Sequence, residues 1–269
     1  MAKDVVPDLL KSIEKSFQIH TENDRTLSRV TKRIRDGTAT QEDGHEYAVR
    51  IGKDSSKALR DVLTAENLPD GKLYYNIATR TVIPTLENNQ ALVNDAASKI
   101  QKSQDKKKNL TLNAVKPKFP KERIDGLIDK MTEDDIELED ALVWIGEPIV
   151  NNSEAFFDDF VRENADFRSK AGLKTTITRI AEANCCAWCA ALEGSWEYGK
   201  EPSEVYARHE FCRCSVTYQT ERTSQNVWSK KTWESTPEEI ERRANTKPFT
   251  KSVKERLETL EQLAKTKRR

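Results

Sequence analysis

Apolar residues recur at three- and four-residue intervals through the first hundred positions, the spacing of helices with one buried face. Leu10, Ile13 and Phe17, then Leu27, Val30 and Ile34, predict residues 8–36 as one long helix or a broken pair. Pro7 suits a first turn, Asp8 is favourable beside it, and Asp36-Gly37 supplies the stop. Thr40-Gln-Glu-Asp43 reads as the cap of a second helix, which Tyr47, Ile51, Leu59, Val62 and Leu63 carry to about residue 65. His20 and His45 fall in these polar helical stretches and read as solvated surface histidines. Pro69-Asp-Gly71 is a turn. A third helical stretch follows through Leu73, Ile77 and Thr81, with Pro84 marking a break or a new first turn before Leu86, Leu92, Val93, Ala96 and Ile100.

The periodicity then fails. Residues 101–123 hold eight Lys/Arg against Asp105 and Glu122, with Pro117 and Pro120 near the end. They read as a basic connector, either solvated or in contact with DNA or an acidic protein face. The charge inverts over residues 132–166, with twelve acidic residues and one basic one, Arg162. Thr132-Glu-Asp-Asp is a helix-start signature, with an apolar face from Leu138 to Ile145 ending before Pro148. Asn152-Ser-Glu-Ala opens another helix with Phe156, Phe157, Phe160, Val161 and Phe167. Asp158-Asp159 belongs to a solvated acidic face, because neighbours in a helix point apart. Residues 173–182 suit strand or helix equally, whereas Ser215-Val-Thr-Tyr-Gln-Thr220 alternates like a strand. Farther on, Trp228 and Trp233 sit in a polar segment, Thr236 starts a short helix, and Val253, Leu257, Leu260 and Leu263 form an amphipathic stripe. Residues 241–269 carry ten basic and four acidic side chains.

Composition narrows the class. Lys+Arg equals Asp+Glu at 45 each over 269 residues, so no net field steers the whole molecule toward nucleic acid. One third of the chain is charged and only nine residues are glycine, which favours helix over tight-turned sheet. No run approaches the ~18 apolar residues of a membrane span and the N-terminus lacks an apolar signal core, so the expected place of synthesis is the cytoplasm, where thiols stay reduced.

Against that background all five cysteines fall within thirty residues, together with one of the three histidines. Cys186 and Cys189 form a C-x-x-C pair, and His209-x-x-Cys212-x-Cys214 offers a second pair from three candidates. Zinc takes four tetrahedral S/N ligands, with Zn–S near ~2.3 Å and Zn–N near ~2.1 Å. The simplest shell is Cys186, Cys189, His209 and Cys212, with Cys214 able to replace either of the last two. Gly194, Gly199 and Pro202 suit a hairpin that folds one pair onto the other. Clustered thiols also suit a disulfide framework, which an odd cysteine count disfavours, a reduced thiol cluster packed with Trp188, Trp196 and Phe211, or Cys–His catalysis. Cys185 fits no ligand pair.

The runs Thr175-Thr-Ile-Thr-Arg179, Cys186-Ala-Trp-Cys189-Ala-Ala-Leu192-Glu-Gly194, Tyr198-Gly-Lys-Glu-Pro and Arg208-His209-Glu-Phe-Cys212-Arg213-Cys214-Ser-Val-Thr-Tyr218 resemble the C-terminal signature of tailed-phage minor head proteins, the head-morphogenesis or Mu F-like family. The resemblance spans about 45 residues; the doubled cysteine at Cys185 and the short tail after Tyr218 depart from it. It implies a structural virion protein placed near the portal during head assembly, touching portal and major capsid proteins and, through basic segments, packaged DNA. It implies localisation to the virion head, with host cytoplasm as the site of assembly.

The expected fold is mainly α: an extended helical region over 1–104, a basic connector over 105–123, a small α+β module around the Cys/His cluster over 124–222, and a basic helical tail over 223–269. The expected cofactor is a structural zinc held from Cys186, Cys189, His209, Cys212 and Cys214, with no catalytic residue and no membrane contact. Two rivals come from other classes. One is a zinc-dependent nucleic-acid-binding protein, which the basic tail supports and the zero net charge opposes; the other is an HNH-like nuclease, which needs a histidine base apart from the metal ligands.

Overall fold

The computed structural model describes residues 4–221 except Asp135 and Asn184; the tryptophans, helices and basic charge expected over 223–269 lie outside the described residues. The first helical stretch is a broken pair, α1 (Val6–Asn23) and α2 (Arg25–Arg35). Asp24 makes the break. Its side chain accepts the Leu27 N–H at 2.9 Å to cap α2, and its other oxygen accepts from Arg50 Nε at 2.6 Å. Gly37, at φ +69°, ends α2. Helix α3 (Gln41–Val62) starts on a reciprocal capping box between Thr40 and Asp43.

Helix α4 (Tyr75–Lys107) runs unbroken through Pro84, against the expected break. Ile77, Val82, Leu86 and Val93 bury in one core on both sides of the proline, and that shared burial outweighs the lost backbone hydrogen bond. After a short extended segment come α5 (Lys121–Met131), α6 (Leu138–Trp144) and α7 (Glu147–Lys170). Thr132 ends α5 instead of opening a helix, its hydroxyl donating to the Ile128 carbonyl at 2.8 Å. Likewise Pro148 starts α7 in its first turn, ahead of the start expected near Asn152.

Helices α3, α4 and α7 meet closely. Ser55 donates to Asn89 at 2.7 Å, and Asn89 donates to Ser153 at 3.1 Å, so one buried polar chain crosses all three. Glycine permits the approach: a Cβ on Gly52 would lie 2.8 Å from Val150 Cα and 2.9 Å from Ser153 Cβ. Gly52→Ala pits a helix-propensity gain of about 1 kcal/mol against overpacking of about 1–3 kcal/mol. The obstacle is backbone, so overpacking should win and the urea midpoint should fall; a midpoint at or above wild type would refute this close packing.

The strand-or-helix ambiguity at 173–182 resolves as strand. β1 (Lys174–Ile180) is the centre of an antiparallel sheet of order β2-β1-β3, with β2 (Gly194–Glu197) and β3 (Ser215–Glu221) at its sides. Thr175, Ile177 and Arg179 of β1 face inward, and Ile177 pairs with Tyr218. The Gln41 side chain pairs with the Tyr218 backbone like a fragment of a fourth strand, donating to its carbonyl and accepting from its N–H, each at 2.7 Å.

One core runs from Val6 of α1 to Tyr218 of β3, so the packing does not divide between residues 1–104 and 124–221. The basic connector proves to be two things. Asp105, expected among solvated residues, is buried in α4 and grips Arg168 of α7 with both carboxylate oxygens. The extended part is strapped to α7 by Asn164, which exchanges two 2.8 Å hydrogen bonds with the Val115 backbone. Lysines at 106–108, at the end of α4, and at 116 and 118, in the extended part, remain at least partly exposed. Among the described residues no helix is long and apolar enough to cross a membrane.

Candidate metal centre

The cysteines sit where the chain leaves and re-enters the sheet. After β1, Cys186 caps the one-turn helix α8 (Ala187–Ala191), its sulfur accepting the Cys189 N–H at 3.5 Å. The C-x-x-C spacing therefore turns both sulfurs to the same side. Before β3, the Cys212 N–H donates to the His209 carbonyl at 3.1 Å, closing a second tight turn in which Phe211 adopts φ +59°. Gly199, at φ +86°, lies in the connection that returns the chain from β2.

These turns bring all the sequence-nominated residues together. His209 Nε2 lies 3.3 Å from Cys186 Sγ and 3.1 Å from Cys189 Sγ, and Cys189 Sγ lies 3.7 Å from Cys212 Sγ. Tetrahedral zinc needs S···S edges of about 3.8 Å and S···N edges of about 3.6 Å. The three observed separations are somewhat shorter than or equal to those edges, so the donors are spaced closely enough to hold a metal ion three at a time. Two overlapping groups have ligand atoms within 4.8 Å of one another: Cys186, Cys189 and His209, and Cys189, Cys212 and Cys214. Cys189 belongs to both. All five cysteines are free thiols, so the disulfide framework does not form.

Burial differs across the cluster. Cys189, Cys212 and Cys214 are buried, Cys186 is exposed and Cys185 is half-buried against the others. Burial pushes the Cys189 thiol up to about 12, while the Cys189 N–H holds Cys186 below the ordinary thiol range. A metal must therefore displace a firmly held proton from Cys189. The expected aromatic packing is only partial: Trp188 meets His209 edge-on at 5.8 Å, but Phe211 is 66% exposed and Trp196 packs against the main core.

Behind the turns lies a buried charge network that sequence reading missed. Arg208 and Arg213 flank the ligand residues and reach back to α7. Arg208 pairs with Asp158 through Nε at 2.5 Å and Nη2 at 2.8 Å, and its Nη1 donates to the Cys214 carbonyl at 3.0 Å. Arg213 Nη1 lies 2.7 Å from Glu147 and donates to the Cys212 carbonyl at 3.0 Å. Glu154 sits between the two arginines, fully buried, with Arg208 Nη1 at 3.4 Å. Asp158 is thus no part of a solvated face; only Asp159 points outward, toward Arg123 and Arg162. Nor is His45 a surface residue. It is buried, with Nε2 3.7 Å from Glu154, and burial holds its imidazole well below the ordinary range. Carboxylates at Glu147, Glu154 and Asp158, spaced at seven and four residues, mark one helix face, and that spacing was the available signal.

Burial raises Glu154 to about 8, against the downward pull of Arg208 and Arg213. With its folded pKa above its unfolded one, Glu154 contributes stability that is complete below about 4.5 and lost as pH rises toward 8. Glu154→Gln cannot ionise. The stability difference between this variant and wild type, both in chelator, should therefore move in the variant's favour as pH rises through that window. A pH-independent difference in chemical denaturation would contradict the assignment.

No protein-family model, curated protein or solved structure matches this chain. The resemblance to phage minor head proteins thus stands on the motif residues alone.

Proposed function

We propose that this chain is a minor structural protein of a tailed-phage head, in which one zinc ion staples the turns at residues 185–189 and 209–214 to the helical bundle. The observation that carries the reading is the meeting of the motif's two separated ligand runs in two overlapping groups of closely spaced donors that share Cys189. The residues around that meeting point are committed to holding it. His209 Nδ1 lies 2.6 Å from the Glu210 carbonyl while Nε2 faces the sulfurs. Both ring nitrogens are engaged, which argues for assembly over turnover and against a nuclease with His209 as base.

Metal binding here counts as folding energy, because about thirty loop residues contribute little core of their own. Exposed Trp188, Phe211 and Val143 are available to the portal and major capsid proteins, and the lysines of the strap to packaged DNA. The virion head is then the site of action. Co-expression with portal and major capsid proteins tests this: the chain should co-sediment with assembled heads and carry about one zinc per copy. Sedimentation apart from heads would sink the assembly reading, and heads containing a metal-free chain would sink the staple.

The lysines at 106–108, 116 and 118 favour a second reading, zinc-dependent nucleic-acid binding. Duplex affinity falling steeply with salt, for the isolated protein, would support it over the first.

A further inference from the structure

Arg179 stands on the inward face of the central strand, 1% exposed, with no carboxylate paired to it among the described residues. Its Nη1 donates to the Val205 carbonyl at 2.5 Å and the Ala207 carbonyl at 3.1 Å. Nη2 points to two sulfurs, Cys189 Sγ at 3.6 Å and Cys212 Sγ at 3.7 Å. Carbonyl dipoles alone do not offset the desolvation of a guanidinium, which costs several kcal/mol. The carboxylates behind the site are engaged elsewhere, Asp158 with Arg208 and Glu147 with Arg213. The group left to supply a negative charge is the sulfur cluster.

We infer that Arg179 is the charge-balancing residue of the metal centre, and that its two sulfur contacts mark Cys189 and Cys212 as thiolate ligands while Cys214 stands outside the shell. The inference rests on the metal reading and settles a choice that spacing leaves open. Three thiolates on a divalent ion leave one negative charge, which one guanidinium cancels. Replacing His209 by Cys214 would make four thiolates and leave a second charge buried without a partner. Replacing Cys212 by Cys214 would keep the count but leave Arg179 facing a neutral sulfur. The shell that satisfies both the charge and the Arg179 contacts is Cys186, Cys189, His209 and Cys212. Cys189 is the member common to the two groups of closely spaced donors, so metal binding must draw Cys212 in toward Cys186 and His209 and away from Cys214. Arg179 also holds the backbone leading into His209 through Val205 and Ala207, so one side chain fixes both the charge and the approach of the second turn.

Cobalt(II) is the probe, because its visible bands report tetrahedral coordination and the number of thiolates. Full-length wild type, Arg179→Met, Arg179→Lys, Cys212→Ser and Cys214→Ser are titrated with it under reducing conditions. Arg179→Met should weaken Co(II) binding by about ten- to a hundredfold, the usual effect of removing a partner of a ligand. Arg179→Lys should fall between, keeping the charge but not the two-pronged reach. Cys214→Ser should keep band position and intensity, and Cys212→Ser should lose the tetrahedral spectrum. Wild-type affinity in Arg179→Met, or a spectrum lost in Cys214→Ser and kept in Cys212→Ser, overturns the inference and leaves the metal reading standing. Failure of wild type to bind Co(II) removes both. If Arg179→Met lacks native helix content by circular dichroism, the two cysteine variants decide.

Discussion

Arg208→Ala is expected to lower stability by about 3–5 kcal/mol, the cost of leaving a buried charge without its partner. Asp158 receives two hydrogen bonds from that guanidinium, and Glu154 lies at its other edge. Asp158 is 3% exposed and Glu154 is 0% exposed, so water cannot replace what the arginine supplies. Alanine also frees the Cys214 carbonyl and detaches the turn before His209 from α7. Desolvation already raises both carboxylates, and without the cation they would take up protons, so the loss should shrink at lower pH. Urea denaturation at pH 7 and pH 5 measures it. A loss below about 1 kcal/mol, the range of surface ion pairs, would mean that the network is solvated. The double variant Arg208→Leu with Asp158→Leu should recover part of the loss, because it removes the charge together with its partner.

Cys189→Ser is expected to abolish metal binding whichever shell forms, since Cys189 is common to both ligand groups. Apparent binding energies for structural zinc run to about 10–16 kcal/mol near pH 7, far above any single packing contact. The consequence should be confined. β1 and β3 contribute Ile177, Val216 and Tyr218 to the main core and stay anchored there. The segment between them, residues 181–214, depends on the staple. Limited proteolysis should cut within 181–214 and spare the helices, with metal content near zero. Cys185→Ser, outside both ligand groups, should keep metal and resistance. Equal metal content in Cys189→Ser and wild type would end the ligand assignment.

Much of this architecture was legible from local signals. The Thr40–Asp43 box, the stop at Gly37 and the alternation of 215–220 are short-range features, and each appears where its residues place it. The sulfur cluster was legible for a different reason: ligand spacing reflects the bite of one ion and needs no knowledge of the rest of the chain. What escaped depended on contacts distant in sequence. Pro84 breaks nothing because both halves of α4 share one core, and no local rule carries that information. His45, Asp105 and Asp158 were assigned to solvent by polarity. Each is buried beside a group far along the chain: Glu154, Arg168 and Arg208 respectively. Arg179 was visible in the motif but carried no role until its four acceptors were known.

Gln41 has a consequence for how copies of this chain behave at high concentration. Strand β3 is an outer strand, and outer strands recruit foreign chains through unpaired amides and carbonyls. At Tyr218, the middle of β3, both backbone groups are already taken by a side chain from the start of α3. Lys108 takes the Thr220 carbonyl two residues on, at 3.0 Å. An incoming strand would have to displace a buried amide and a lysine before forming its first rungs. Among the described residues that leaves β2, four residues long, as the sheet's open border. Many such molecules crowded together would therefore resist zipping border to border into fibrous aggregates, and Gln41→Ala should remove the lock.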